Sequence, residues 1–104
     1  MKNLEFKFSS QEIQDFCHRW KIVELSLFGS VLRSDYRHDS DVDLLVTFSS
    51  DSRWSLFDMV RMQEDIERIL RRDVDLVSRE GIEASQNYIR RKAILESAEV
   101  IYAA

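Results

Sequence analysis

The residues best suited to chemistry are Gly29 and Ser30, then Asp41 and Asp43 after a ten-residue spacer, and Asp75 further on. A strand that ends in glycine lets the backbone approach a ligand closely, because no Cβ stands in the way. If Ser30 opens a helical turn, its free N–H groups and hydroxyl face outward together, an anion site suited to a triphosphate tail. Asp41 and Asp43 lie two apart, so in a strand both carboxylates leave the same face. Their mutual repulsion calls for a cation. Hard carboxylate oxygens, completed by phosphate oxygens, suit Mg2+, with Mn2+ as a substitute.

In Asp73-Val74-Asp75-Leu76-Val77 two acids again share a face. Asp75 sits mid-strand between apolar neighbours and Asp73 at the strand's start, so Asp75 is the expected third metal-site carboxylate and Asp73 its competitor. Three acids can hold two Mg2+ ions about 3.5–4 Å apart, clamping the attacking and leaving oxygens. Phosphoryl-type transfer needs mainly this positioning and charge neutralisation. Arg33, one helical turn beyond Ser30, is in reach of a phosphate or of a surface pair with Asp35 or Asp39. A chance match to the Gly-Ser and Asp-x-Asp spacing in this chain is on the order of 10⁻³.

These residues need elements to hold them. Ile22 to Phe28 is β-branched and apolar and stops at Gly29, which predicts a strand. Ser30 to Ser34 can make one helical turn, and Asp35 to Ser40 reads as a polar loop. Asp41 to Phe48 alternates, with Val42, Leu44, Val46 and Phe48 on one side, which sets its register: apolar side down, acids up. Asp73 to Ser78 is a further strand.

Around this centre, Leu4 to Phe8 is a short strand or a clasp against a neighbour. Ser9 and Glu12 have capping-box spacing, ahead of a helical face of Ile13, Phe16, Cys17 and Trp20. From about Trp54 to Arg72, the residues Leu56, Met59, Val60, Ile66, Ile69 and Leu70 predict an amphipathic helix, with Glu64–Arg68 and Glu67–Arg71 pairs on its wet face. Ile82 to Ala98 reads as a helix with Tyr88, Leu95 and Ala98 along one side, and Val100 to Tyr102 as a closing strand. The alternation predicts an α/β (α+β) fold, a single mixed β-sheet backed by helices, in one domain over 1–104.

Composition narrows the function classes. The 104 residues carry a formal net charge of −4, so the basic excess usual in duplex binders is missing and direct nucleic-acid binding is not expected. A single cysteine, Cys17, cannot form an internal disulfide and suits a reducing compartment. Met1 to Ser10 has no apolar signal-like stretch, and no run approaches the roughly 18 residues of a membrane span, so a cytoplasmic domain is expected. No Cys/His cluster has zinc spacing, and no Walker lysine follows the glycine. His18 and His38 read as solvated, and Arg90-Arg91-Lys92 as a wet helix face or a docking surface.

The spacing Gly29-Ser30-x10-Asp41-x-Asp43 resembles the signature of the DNA polymerase β-like nucleotidyltransferase superfamily. Phe28-Gly29-Ser30-Val31-Leu32-Arg33, together with Asp39-Ser40-Asp41-Val42-Asp43-Leu44-Leu45-Val46, is similar to its minimal (MNT) branch. Val74-Asp75-Leu76-Val77 and Ala98-Glu99-Val100-Ile101-Tyr102 extend the likeness over nearly the whole chain. The resemblance implies phosphate contacts at Gly29 and Ser30, and metal at Asp41, Asp43 and Asp75. Many members carry Arg where this chain has Val31 and Gly where it has Ser34, so no catalytic part is carried over to Val31.

The expected function is therefore a Mg2+-dependent nucleotidyltransferase moving a nucleoside monophosphate from a triphosphate to an acceptor hydroxyl, with Asp75 also placed to accept the proton. The resemblance further implies ATP as donor. It makes the acceptor a tyrosine of a HEPN-type ribonuclease toxin, with this chain as the antitoxin in a complex with it. One rival is a non-catalytic module that inhibits its partner by occlusion. Another is one half of a small-molecule transferase whose acceptor domain comes from another chain.

Overall fold

The computed structural model describes residues 9–29 and 41–104. Four strands, β1 (Ile22–Phe28), β2 (Val42–Phe48), β3 (Val74–Ser78) and β4 (Glu99–Ala103), form one mixed sheet in the order β3-β2-β1-β4. The two apolar seven-residue strands lie in the middle and the two five-residue strands at the edges. β1 pairs antiparallel with β2 and β4, whereas β2 and β3 are parallel. Parallel neighbours need a crossover, and α2 (Leu56–Leu70) supplies it. The expected mixed sheet backed by helices is the fold observed.

Helices cover both faces. On one side α1 (Ser10–Arg19) and α2 enclose the main core, with Ile13, Phe16, Cys17, Met62, Ile66 and Leu70 packed on Leu25, Leu27, Val42, Leu44 and Val46. Cys17 is fully buried there, and burial pushes its thiol up to about 12, so it is protonated and inert at neutral pH. On the other side, α3 (Arg79–Glu83) and α4 (Tyr88–Ser97) enclose a smaller cluster of Phe28, Leu45, Ile82 and Ile94.

Capping sets where the helices begin. Ser9 Oγ accepts the Glu12 N–H at 3.3 Å, one arm of the expected box. The reciprocal box is at α2 instead: Ser55 Oγ accepts the Asp58 N–H at 3.2 Å, and Asp58 Oδ2 accepts the Ser55 N–H at 2.9 Å. The continuous helix expected from Ile82 to Ala98 is broken, because Asn87 Oδ1 caps the Arg90 N–H at 3.1 Å and starts α4 afresh. Rephasing leaves Tyr88 exposed and buries Ile94. Leu56 and Val60, expected on the apolar side of α2, are also exposed. Leu4 to Phe8 lies outside the described residues. Among those described, no helix is long and apolar enough to cross a membrane.

The two main-face helices are tied by one buried carboxylate. Asp65, 6% exposed, accepts from Arg19 Nη1 at 2.6 Å and Trp20 Nε1 at 3.1 Å, and pairs with Arg68. Trp54 Nε1 donates to the Trp20 carbonyl at 3.0 Å, and the two indoles meet edge to face at 5.2 Å. Arg68 is thus engaged by Asp65 rather than by Glu64, and Glu67 accepts the Val74 N–H at 2.9 Å, anchoring the start of β3. Burial alone would raise the Asp65 carboxyl. The hydrogen bonds from Trp20 and Arg19, the Arg19 charge and the Arg68 bond outweigh it, so the group lies below the usual carboxylate range.

Because the folded state holds fewer protons than the unfolded chain below about pH 4, this contribution is full above the unfolded value and is lost as pH falls through the folded one. Asp65→Asn should cost about 1–3 kcal/mol at pH 7. In urea melts from pH 7 down to 2.5, its stability should fall less steeply below pH 4 than that of the wild type. Parallel curves would remove Asp65 as the acid-labile tie.

Candidate active site

The register of β2 builds the site. With Val42, Leu44 and Val46 committed to the main core, Asp43 must leave the opposite face. There it is paired across the sheet with Phe28 of β1 on one side and with Asp75 of β3 on the other. Gly29 follows Phe28 directly and has φ +75°, in the left-handed region that favours glycine. A Cβ built on Gly29 would collide with Asp43 Oδ2 and lie 3.1 Å from its Cγ. The glycine is therefore required twice, by its backbone angle and by the carboxylate resting on it.

Gly29, Asp43 and Asp75 line one open cavity of about 340 Å3, closed on its far side by Arg90, Ala93, Ile94 and Ser97 of α4. Phe28 forms the apolar part of its floor. The structure thus brings together three of the residues expected from sequence. Asp41 is exposed just before β2 and stands outside this lining. Beside it, the Asp73 carbonyl accepts the Val42 N–H at 2.9 Å, and Asp73 likewise stands outside the lining. Ser30 and Arg33, with Arg37 and His38, lie outside the described residues.

The donor set suits a hard divalent cation, since two carboxylates are in register on adjacent strands and open to one cavity. Among the described residues, no group of three or more His, Cys, Asp or Glu side chains forms a ready metal cage. Mg2+ binds commonly through one or two carboxylates with substrate phosphates and water completing the octahedron, so the pair fits a cation that arrives with its nucleotide.

The α4 wall was not foreseen. Arg90, Ala93, Ile94 and Ser97 have the spacing i, i+3, i+4, i+7 of one helical face of α4. An asparagine before Tyr88 was the signal that could have found it. A larger cavity of about 610 Å3 opens at the opposite end of β2, between Phe48, Trp54, Met59 and Arg79. Arg79 is already paired with Glu24 and Glu83, and no two carboxylates are set in register there as Asp43 and Asp75 are. The smaller cavity is the better seat for chemistry.

Several known proteins are similar to this chain. Protein adenylyltransferase MntA of Thermococcus cleftensis is 35% identical over 66 residues, 64% of this chain and 65% of that one. The chain spans under two thirds of the length of the curated relatives it matches. Among solved structures, a candidate minimal nucleotidyltransferase superposes with a TM-score of 0.65 at 33% identity, over 86% of each chain. A chain from the complex of tri-AMPylated Shewanella oneidensis HEPN toxin with MNT antitoxin shares the fold. It has a TM-score of 0.60 at 15% identity, over 91% of this chain and 70% of that one. The model of the nucleotidyltransferase domain matches residues 10–100, from α1 into β4 and across Gly29, Asp43 and Asp75, and the chain belongs to that family.

Proposed function

We propose that this chain transfers AMP from ATP to a protein hydroxyl, a tyrosine of a HEPN-type toxin, and so acts as the toxin's antitoxin. The observation that carries the reading is the in-register pair Asp43–Asp75 opening to one cavity beside a glycine that admits no side chain. The adenylyltransferase name of the Thermococcus relative and the AMPylated toxin in the Shewanella complex support the donor and the acceptor class. The site itself supports the need for a macromolecular acceptor. Among the described residues, the cavity offers a nucleotide a floor and one wall but little to enclose a second small substrate.

In this mechanism Asp43 and Asp75, with Asp41 at the mouth of β2, are the residues that would hold Mg2+, and when bound it would supply neutralisation of phosphate charge and of charge build-up on the leaving oxygens. Gly29 would offer its backbone N–H to the phosphate tail, with Ser30 the further phosphate contact expected from the sequence. The acceptor oxygen forms a bond to the α-phosphorus, the bond to the bridging oxygen breaks, and pyrophosphate leaves. Asp75 is placed to take the hydroxyl proton. Proximity and charge neutralisation carry the rate, with no covalent protein intermediate.

Mg2+ with ATP should raise the melting temperature by mass action, an effect neither gives alone to the same extent. Asp43→Asn should lower transfer by about a hundredfold or more while the free protein melts close to wild type. Asp75→Asn should be severe and Asp73→Asn mild, and the reverse order would exchange their roles. Gly29→Ala should lose about 1–2 kcal/mol from the left-handed backbone alone, and the MgATP shift with it. A Gly29→Ala protein that keeps the shift would place the nucleotide elsewhere.

Co-expression with the partner, followed by intact-mass measurement, decides the whole reading. Each transfer should add about 329 Da, one AMP. An unmodified yet fully inhibited partner would favour the occluding module.

A further inference from the structure

The sequence run Arg90-Arg91-Lys92 is one basic cluster on paper, but the fold sends its members in different directions. Arg91 turns back along the chain: its Nη1 donates to the Glu83 carbonyl at 3.2 Å and the Ser85 carbonyl at 3.4 Å, and its guanidinium lies 5.3 Å from the Tyr88 ring centre. It is spent on the turn between α3 and α4. Lys92 is exposed and lines no part of the Asp43–Asp75 cavity. Arg90 alone lies on the helical face that closes this cavity, opposite the two carboxylates.

Two further facts mark Arg90. Its backbone is held by the Asn87 cap, so the side chain leaves from a fixed point in the first turn of α4. Its guanidinium makes no ion pair or hydrogen bond among the described residues, although Asp43 and Asp75 line the same cavity. The other cavity-facing polar side chain of α4, Ser97, already donates to the Ala93 carbonyl at 2.7 Å. Among the described residues, a guanidinium with no hydrogen-bond or ion-pair partner thus lines the same cavity of about 340 Å3 as two carboxylates.

That arrangement has a use if the nucleotide lies between them. A triphosphate carrying one Mg2+ remains an anion, and two carboxylates beneath it repel whatever charge the metal leaves uncancelled. A guanidinium on the opposite wall supplies the missing positive charge and, through its planar fork, can grip two phosphate oxygens at once. We infer that Arg90 is a substrate-binding residue that clamps the triphosphate tail from α4, so that the nucleotide is held between the sheet's acids and this single arginine. The inference rests on the nucleotidyltransferase reading of the same cavity.

The test is titration calorimetry of MgATP and of Mg2+-tripolyphosphate into wild type, Arg90→Gln, Arg90→Lys and Lys92→Ala. Arg90→Gln should weaken both ligands about ten- to hundredfold, the loss expected for a hydrogen bond to a charged group. Arg90→Lys should recover part of that loss, and Lys92→Ala should bind both ligands as the wild type does. Adenosine, which has no phosphates, should bind the wild type and Arg90→Gln alike. Arg91→Ala should lower the melting temperature and leave affinity within about twofold. Arg90→Gln binding MgATP within about twofold of wild type, with an unchanged melting temperature, overturns the clamp and leaves the proposed function standing. A wild type that binds no MgATP, with Asp43→Asn indistinguishable from it, overturns the proposed function and the clamp together.

Discussion

The register of β2 is the constraint on which the rest depends. Val42, Leu44 and Val46 are all fully buried against α1 and α2, and a slip of one residue would turn all three to the other face. Burying three such side chains contributes several kcal/mol, at about 1.5–3 kcal/mol each. No other pairing can make up that loss. Asp43 is therefore carried upward by an apolar term that has nothing to do with catalysis. Once there, it is opposite Phe28 and beside Asp75 because its two neighbours pair in that register. The close approach of Gly29 follows from the same alignment. The geometry of the candidate site is set here by hydrophobic burial.

A site placed this way is only as firm as the layer beneath it. The Asp65 tie gives that layer its stiffness, joining the end of α1, the start of α2 through Trp20 and Trp54, and the wet face through Arg68. Glu67 extends it to the first N–H of β3, the strand that carries Asp75. Helix packing and the position of the third acid are thereby linked through hydrogen bonds of fixed direction. Two positions accept unfavourable backbone angles to make the turns fit, Lys21 at φ +55° and Arg71 at φ +56°. Both follow helices on this face, where the chain must reverse into a strand without a glycine.

The upper layer has a different character. Among the described residues, Phe28, Leu45, Ile82 and Ile94 form its buried cluster, with Val77, Leu95 and Ala98 around them. The cluster is small, and a cavity lies at the acid end of the sheet beside it. The break at Asn87 gives α4 the rotation that brings Arg90 over that cavity, and Arg91 holds the break in shape. Tyr88 and Ile89 remain exposed on the same helix.

Much of this was legible from residue order. The strand ending at Gly29, the alternation of β2 and the Val74–Val77 strand follow from period-two patterning, which needs only local steric and burial arguments. That Asp43 leaves the face opposite Val42, Leu44 and Val46 follows from the same period, as does the mixed sheet from the sequence of elements. What residue order left open was decided by contacts between segments far apart in the chain. Asp65, a plausible wet-face residue, became the buried tie because Arg19 and Trp20 arrive from 45 residues and more away. Asp75 and Asp73 share a face by alternation, and the mid-strand place of Asp75 favoured it in the sequence, but its neighbour was set by the parallel register with β2, which pairs it with Asp43. Leu56 and Val60 fit an amphipathic pattern but have no core above them. Arg90 was one of three adjacent cations until the Asn87 cap chose its direction. Periodicity determines which side of an element a residue faces; only pairing and packing determine what it faces there, because those distances depend on chain closure rather than on neighbours in sequence.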